Sequence, residues 1–471
     1  MSNRKLSPWW WVPTLYFAEG IPYFIVNVIS VTMFKRLGMP NGELAMYTSL
    51  LYLPWVIKPL WSPFVDVIRT KRWWILLMQL LCTAGFAALA LSVSPDAFGG
   101  ALVIFYIIAF ASATHDIAAD GFYMIALEQK QQAAFVGIRS TFYRIASVFG
   151  QGVIVVLAGV LEERLGVIPR AWTLTLLASA GLFALITLWH WRFLPKAETS
   201  PEDKIPNGGT PQVRNDGQAC EEPEGAHGRA FPQRSEDAFQ PGRVQPSGDV
   251  GDVIPGGESQ VKRVFRDFAQ AWISFFQKPG VWLAIVFMLL YRLPEAFSVK
   301  MLTPFLLDPV ESGGLGLTTA QSGLVYGTVG VIALTVGGIL GGLFAAKQGL
   351  RKSMWPMSMA LALPCAVYLL LAAVQPSALW CIYLLVALDQ FGYGFGFTAY
   401  MLYMMQFSEG PFKTSHYAIC TAFMALSMMI PGLFAGWMQE ALGYVGFFII
   451  VMICCLATVI VTFFARRRCS S

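Results

Sequence analysis

Apolar runs of about 20 residues recur along most of the chain and dominate its pattern of hydrophobic and polar positions. A helix needs about 20 mainly apolar residues to cross the hydrocarbon core of a bilayer, because lipid offers no partner for an unpaired backbone amide. Twelve runs have this length, and each predicts one membrane-spanning helix. The predicted spans are 10–33, 45–66, 73–93, 101–124, 136–161, 171–193, 281–305, 320–345, 354–374, 379–405, 416–439 and 444–465.

A long polar segment separates the first six predicted spans from the last six. Residues 201–260 hold 18 Pro or Gly residues in 60 positions, so the segment lacks the apolar surface that a packed core requires. We therefore expect two six-helix bundles, at 1–194 and 281–471, joined by a disordered cytoplasmic linker at 195–262. Basic and aromatic residues are interspersed at 263–280, which predicts an amphipathic helix in the membrane interface.

Composition supports a membrane protein and excludes several soluble classes. Hydrophobic residues make up 56% of the chain and charged residues 13%, whereas soluble domains carry about 25% charged residues. A water-soluble enzyme, a nucleic-acid-binding protein and a disulfide-stapled secreted module are therefore excluded. Lys and Arg concentrate in the loops on one side, which predicts that both termini are cytoplasmic. The eight cysteines form no C-x-x-C pair, so we expect free thiols and no metal site.

The two halves repeat each other in a constant register. Ala158-Gly159 recurs as Ala435-Gly436, and Gly166 recurs as Gly443, each displaced by 277 positions. Two six-helix halves related by an axis along the membrane normal describe the major facilitator architecture, in which substrate binds between the halves near the midplane. The fold predicted here is therefore an all-α multipass membrane protein with the major facilitator fold and 12 transmembrane helices.

The segment 62–72 resembles a degraded form of the signature that this superfamily carries between spans two and three. Its acid and its basic residues would latch the cytoplasmic side in one conformational state, which makes Asp66 and Arg72 candidate gating residues. A pure topology signal is an equally open interpretation.

Several charged side chains stand inside the predicted spans, where each costs roughly 2.5 to 3.5 kcal/mol unless it meets a partner or a wet cavity. Glu19 lies beside Gly20 and Pro22, which together predict a locally opened helix. We interpret Glu19 as a proton-carrying carboxylate or a substrate contact. The alternative is one half of a structural ion pair.

Two acids of the fourth span, Asp116 and Asp120, are four residues apart and share one helical face. Two stacked carboxylates repel when both are ionised, so one of them binds a proton more readily. This makes the pair a proton-relay candidate. The alternative is that the two acids form ion pairs with Arg139 and Arg144 of the fifth span. His115 points away from the shared face, and we interpret it as a helix-contact residue.

Other candidates lie in the second, seventh and tenth spans. Lys58 is either a functional cation or part of a structural pair, whereas Arg292 and Glu295 are spaced to pair within one helix. Asp389-Gln390 follows His115-Asp116 by 274 positions, so each half supplies an acid at the matching depth. We interpret the alternating glycines that follow as helix packing. Rings that can stack on a sugar or contact a cation include Tyr16, Tyr23 and Tyr291.

Five distinctive sequence blocks extend over both halves: YFAEGIP at 16–22, LPWVIKPLWSPFVD at 53–66, SATHDIAADG at 112–121, LYRLPEAF at 290–297 and TPFL at 303–306. Together these blocks resemble the AmpG-type muropeptide permeases, a branch of the major facilitator superfamily. The resemblance implies proton-driven import of anhydro-sugar peptides across the bacterial inner membrane, by a monomer without a cofactor. It departs from the family pattern at His115, at Tyr123-Met124 and at Pro294-Glu295.

The resemblance also implies roles for individual residues. Glu19, Asp116 and Asp120 would couple protons or bind substrate, and the matching acid Asp389 joins the coupling candidates. The substrate-binding candidates are Tyr16, Tyr23, Lys58, Arg144, Tyr291, Arg292, Glu295 and Gln390.

Two other functions stay open beside muropeptide import. Related branches resemble siderophore importers and acetyl-coenzyme A transporters, so the cargo can differ while the transporter stays the same. A membrane-embedded enzyme or receptor is a third function, but the chain carries no metal-ligand spacing, P-loop or nucleophile motif to support it.

Overall fold

The computed structural model describes residues 7–196 and 260–467, and the regular structure within these ranges is helical throughout. The predicted linker at 195–262 lies almost entirely outside the described residues. The first half contains span 1 (Pro8–Arg36), span 2 (Asn41–Leu50 and Leu53–Val67), span 3 (Lys71–Leu91), span 4 (Phe98–Ala126), span 5 (Gly137–Leu165) and span 6 (Ile168–Phe193). The second half contains span 7 (Val281–Leu307), span 8 (Thr319–Gln348), span 9 (Leu350–Val374), span 10 (Leu379–Phe407) and spans 11 and 12 (within Lys413–Arg466).

The twelve predicted crossings agree with these helices once two local features are considered. Within the described ranges, ten helices are long and apolar enough by themselves to cross a membrane. Span 2 is not among the ten because it is divided at Leu51-Tyr52 into two short helices. Spans 11 and 12 count as one because they run on as a single segment of 54 residues, which turns at Gly443 with φ 67°.

The repeated glycines of the two halves have a common backbone conformation. Gly166 ends span 5 with φ 64°, and Gly443 separates spans 11 and 12 with φ 67°. A positive φ is strained for residues with a side chain, so glycine is required at both turns. The register of the sequence repeat therefore has a structural cause.

Three spans contain wider, π-helical turns. They lie at Ile25–Ile29 in span 1, Phe149–Ile154 in span 5 and Gly323–Gly330 in span 8. The sequence predicts an opened helix beside Glu19, but the helix is regular there and widens only after Pro22. A proline ring clashes with the carbonyl group four residues earlier, which explains a disturbance near Pro22 but does not fix its place.

A helix precedes span 7 in the region where the sequence predicts an amphipathic helix, and its place in the membrane interface stays a prediction. It runs over Gln260–Phe276 and contacts both halves. The ring of Phe265 lies 5.2 Å from that of Phe64 at the end of span 2, and Ser274 bonds His416 at the start of span 11 over 3.0 Å.

The two halves are joined on the side of the molecule away from the chain termini, which we call the distal side. Lys35 of span 1 lies 2.5 Å from Asp308, and Asn41 of span 2 donates a hydrogen bond to Gln439 over 2.7 Å. Tyr444 also donates to Asp308, over 2.6 Å. We call this group the distal seam, comprising Lys35, Asn41, Asp308, Gln439 and Tyr444. It closes the distal side of the space between the halves, and we call the opposite side the terminal side.

Alternating glycines in span 10 allow close helix packing, as expected from the sequence. A Cβ atom added to Gly392 would lie 2.2 Å from the carbonyl oxygen of Ala360, and one added to Gly394 would lie 2.0 Å from that of Leu334. Real Cβ atoms do not approach backbone oxygens so closely. The close packing of spans 8 and 9 against span 10 therefore requires these glycines.

We expect Gly394→Ala to lower the melting temperature of the detergent-purified protein, because the added methyl group forces span 8 away at a cost of about 1–3 kcal/mol. Gly342→Ala is the matched control, since a Cβ atom there meets nothing within 4 Å. The control should melt at the same temperature or slightly higher, because alanine favours helix more than glycine does. Equal melting of both variants would contradict the packing role.

Candidate transport cavity and carboxylate cluster

A cavity of about 620 Å³ lies between the two halves, within the size range of small-molecule binding sites. Its wall reaches toward the terminal side at Arg139 and Met401. Seven predicted site residues line it: Tyr16, Glu19, Tyr23, Arg144, Arg292, Glu295 and Gln390.

A cluster of three carboxylates adjoins the cavity in the first half. Glu19 of span 1 meets Asp116 and Asp120 of span 4, with an oxygen of each within 4.8 Å of the others. Lys58 of span 2 forms an ion pair with Asp116, and Arg139 of span 5 lies 2.7 Å from Asp120. We call these five residues the carboxylate cluster.

The ion pairs bear on the alternatives that the sequence leaves open, and the roles in proton coupling stay predictions. Arg139 pairs with Asp120, as the structural alternative predicts, and Tyr16 donates a further hydrogen bond to Asp120 over 3.2 Å. Arg144 does not join them, but lines the cavity and is close to Gly338 of span 8. Lys58 is engaged by Asp116 and does not line the cavity.

Glu19 differs from the two aspartates because it has no cation of its own. Its side chain is buried, and within the described part of the chain its Oε2 atom has no hydrogen-bond partner. Three carboxylates and two cations leave one negative charge uncompensated when every group is ionised. Burial penalises such a charge, so the cluster favours one additional positive charge.

A proton fits this requirement better than a metal ion. The spacing of the three carboxylates is short enough for a metal ion to bridge them. However, Lys58 and Arg139 already compensate two of the three, and a divalent ion would leave the cluster with excess positive charge.

His115 lies in a separate buried network, as predicted for a helix-contact residue. Its Nε2 atom is 3.0 Å from Gln79 of span 3, which in turn bonds His190 of span 6. His190 also contacts Thr14 of span 1 over 3.0 Å. This network ties four helices together behind the carboxylate cluster.

The predicted ion pair of span 7 is present in the second half of the cavity wall. Arg292 donates to both oxygens of Glu295, over 2.6 and 2.9 Å. It also donates to Tyr393 over 2.8 Å and lies 4.8 Å from the ring centre of Phe397. Because both oxygens of Glu295 accept hydrogen bonds from it, the guanidinium group of Arg292 is held in one position.

Two other predicted residues of the second half are placed outside the cavity wall. Asp389 accepts hydrogen bonds from Tyr368 over 2.6 Å and from Gln390 over 3.0 Å, and it belongs to none of the ion pairs of the described residues. Tyr291 is fully buried, and its hydroxyl group donates to the carbonyl oxygen of Gly396 over 3.0 Å. The acid at the matching depth is therefore held by neutral partners, unlike Asp116.

The candidate gating residues are only partly described. The backbone of Asp66 belongs to span 2, and its side chain lies outside the described part of the structure. Arg72 donates to the carbonyl oxygens of Trp191 and Leu194 over 2.7 and 3.1 Å, at the end of span 6. A cation at this place stabilises the carboxyl end of a helix, and a gating role stays a prediction.

Sequence reasoning missed part of the cavity wall. Tyr326 of span 8 and Tyr393 and Phe397 of span 10 line the cavity and surround Arg292. Tyr393 and Phe397 are four residues apart on span 10, and this spacing is the signal that identifies a second face of the helix beside the packed glycines.

Comparisons with known proteins agree with this geometry. The sequence model of the Major Facilitator Superfamily matches residues 14–411. The anhydromuropeptide permease of Escherichia coli strain K12 is 23% identical over 442 residues, which cover 92% of this chain and 75% of that protein. The putative transporter AmpG 3 of Rickettsia typhi is 22% identical, over 85% of this chain and 82% of its own.

Among solved structures, a bacterial homologue of the human lysosomal transporter Spinster, described as inward-facing and unoccupied, superposes with a TM-score of 0.65. It is 15% identical and covers 99% of this chain and 98% of its own, so it supports the fold alone. The resemblance to AmpG-type permeases in the sequence blocks is confirmed by the two relatives. The protein is a multi-pass membrane transporter rather than an enzyme, and the chain belongs to the Major Facilitator Superfamily.

Proposed function

We propose that this transporter imports a bulky anionic or zwitterionic solute together with protons, by alternating access, and that anhydro-muropeptides are its cargo. The observation that carries the proposal is the charge of the carboxylate cluster. One buried acid, Glu19, and two partly buried acids, Asp116 and Asp120, share two cations beside the central cavity, so one proton neutralises the cluster.

Glu19 is the proposed site of that proton. Asp116 and Asp120 are paired with Lys58 and Arg139, whereas Glu19 has a buried oxygen without a partner in the described structure. Glu19 also lines the cavity, so water or cargo can reach it from the same space. Protonation of Glu19 would therefore change the charge of the cavity wall at the cargo site directly.

The cavity chemistry supports an anionic, sugar-containing cargo. Arg144 faces the cavity and takes part in none of the ion pairs of the described residues, so its guanidinium can receive a carboxylate. Tyr23, Trp55 and Phe397 supply ring faces on which a sugar can stack. The Escherichia coli relative is an anhydromuropeptide permease, which supports the same class of cargo.

The proposal fixes an orientation. With both termini on the cytoplasmic side of the bacterial inner membrane, the terminal side is the cytoplasm and the closed distal seam faces the periplasm. The structure would then correspond to the state that releases cargo inward.

Uptake by purified protein in liposomes tests the proposal. We expect anhydro-muropeptide to accumulate when an inward proton gradient is imposed, and accumulation to collapse with a protonophore. Empty liposomes are the control, and an inward sodium gradient is the matched comparison. Accumulation driven by sodium would contradict proton coupling. Transport of a ferric siderophore without transport of muropeptide would mean that the cargo is a siderophore and not a muropeptide.

A further inference from the structure

Lys300 is a buried cation of span 7 that lies between the central cavity and the distal seam. Its side chain is only 6% exposed. Its Nζ atom donates a hydrogen bond to Thr48 over 3.1 Å and lies 5.5 Å from the ring centre of Tyr52. Both partners belong to span 2 in the other half of the protein.

Among the residues that the structure describes, no carboxylate forms an ion pair with Lys300. The ion pairs among residues 7–196 and 260–467 engage Lys35 with Asp308 and Lys58 with Asp116, but none includes Lys300. A hydroxyl group and an aromatic ring are weak substitutes for an acid in a medium of low polarity. Burying an ammonium group in this setting costs free energy. A second conformational state that exposes the group regains this free energy.

The surroundings of Lys300 place it at the joint between the halves. Tyr52 and Val299 line the cavity, so Lys300 lies one layer behind its wall. Gly432 of span 11 packs on the same place, because an added Cβ atom would lie 2.2 Å from the Oγ atom of Ser49 and 3.2 Å from Cε of Lys300. The Oγ atom of Ser49 is buried without a hydrogen-bond partner in the described structure.

This joint holds a polar group, the hydroxyl of Ser49, whose hydrogen bonds are incomplete while the halves are together. Separation of the halves on the distal side would take Thr48, Ser49 and Tyr52 away from Lys300. The ammonium group would then face the distal opening, ahead of the cavity.

We propose that Lys300 is the binding residue for an anionic group, a carboxylate of the cargo, in the state that opens to the distal side. Span 2 covers Lys300 when the halves close, and the carboxylate moves on to Arg144 in the cavity. This inference rests on the proposed import by alternating access, and it adds a binding site outside the cavity of the present state.

The first test compares two cargoes that differ only in charge. Anhydro-muropeptide with free carboxylates and the same compound with amidated carboxylates are offered to the distal side of liposomes. We expect Lys300→Met to raise KM for the acid by about tenfold or more, the size of one lost charge-assisted contact, and to lower the preference over the amide to the part that Arg144 supplies. Lys300→Arg and Thr48→Val should keep the preference, because the first retains the charge and the second removes only its cover.

A purely structural role of Lys300 predicts that folded Lys300→Met keeps the full preference for the acid. The proposal predicts a reduced preference together with the following binding results. Equilibrium binding of the acid to the detergent-purified protein should not change in Lys300→Met if this state predominates, because Lys300 is covered in it. Arg144→Met should weaken that binding. A full preference for the acid in folded Lys300→Met would overturn the proposal.

The second test does not depend on the cargo. Lys300→Cys, in a background without the native cysteines, is treated with a membrane-impermeant thiol reagent from each side. We expect reaction from the distal side only, and faster reaction in a variant that cannot close the distal side. If wild-type protein transports neither cargo, the proposed function fails, and this labelling still decides the accessibility of Lys300. Absence of distal labelling in both backgrounds would overturn the inference.

Discussion

Replacing Glu19 with glutamine is expected to abolish proton-driven accumulation of cargo while exchange of cargo across the membrane persists. Glutamine has the shape of a protonated glutamate and cannot release a proton. Its amide leaves the carboxylate cluster with two acids and two cations, so the cluster stays neutral in every state. The transporter would then move between its states without a requirement for protons.

Two measurements on the same liposomes separate these effects. Accumulation under an inward proton gradient should fall to the level of empty liposomes in Glu19→Gln, whereas counterflow at equal pH should continue. Glu163→Gln is the matched control, because Glu163 is an exposed acid on the distal side of span 5. Undiminished accumulation by Glu19→Gln would mean that another acid carries the coupled proton. Asp389 would then be the next residue to replace.

The aspartates should behave differently from Glu19. Asp116→Asn leaves the ammonium group of Lys58 without its carboxylate, and the loss of one partner of this partly buried pair destabilises the protein. Its loss of transport should therefore come with a lower melting temperature. The contrast between a stable Glu19 variant and an unstable Asp116 variant follows from the ion pairs alone.

Local spacing was sufficient to predict some of the candidate site. Arg292 and Glu295 pair across one turn, as two residues three apart on a helix can do without any tertiary contact. The common face of Asp116 and Asp120 follows from the same geometry. Such predictions require only the helix, and hydrophobic run length predicts the helix well.

Partner choice between helices could not be predicted in the same way. Arg139 and Arg144 are five residues apart on one span, so their side chains point in different directions, and only the packing of span 5 decides which of them meets Asp120. Lys58 reaches Asp116 across 58 positions of sequence. These contacts depend on how the helices rotate about their axes, which apolar residues on all faces of a span do not specify.

The sequence repeat contained more information than its weak matches suggest. Gly159 of span 5 and Gly436 of span 11 occupy equivalent positions of the two halves, and each packs on the start of a span in the other half. A Cβ atom at Gly159 would lie 2.2 Å from the backbone nitrogen of Ala320, and one at Gly436 would lie 1.9 Å from the carbonyl oxygen of Asn41. The repeat therefore marks two symmetrically placed contacts that hold the distal side closed, which residue matching alone could not reveal.

Gly159→Leu and Gly436→Leu are each expected to reduce transport to background by keeping the distal side open. The backbone atoms that a leucine would meet cannot yield as a flexible side chain can, so the halves must stay apart at this level. The distal seam would lose its bonds, including the hydrogen bond from Asn41 to Gln439. Each variant should still bind cargo from the distal side, because the cavity residues are unchanged.

Uptake, distal thiol labelling and melting temperature together test this expectation. Gly181→Leu of span 6 is the matched control, since a side chain there meets nothing within 4 Å and faces outward. Gly159→Ala provides a graded step, with partial loss of transport from a smaller intrusion. Normal uptake by a folded Gly159→Leu or Gly436→Leu would mean that the cycle does not pass through the closed contact seen here. Loss of uptake together with rapid distal labelling would instead identify these two glycines as the surfaces on which the halves close.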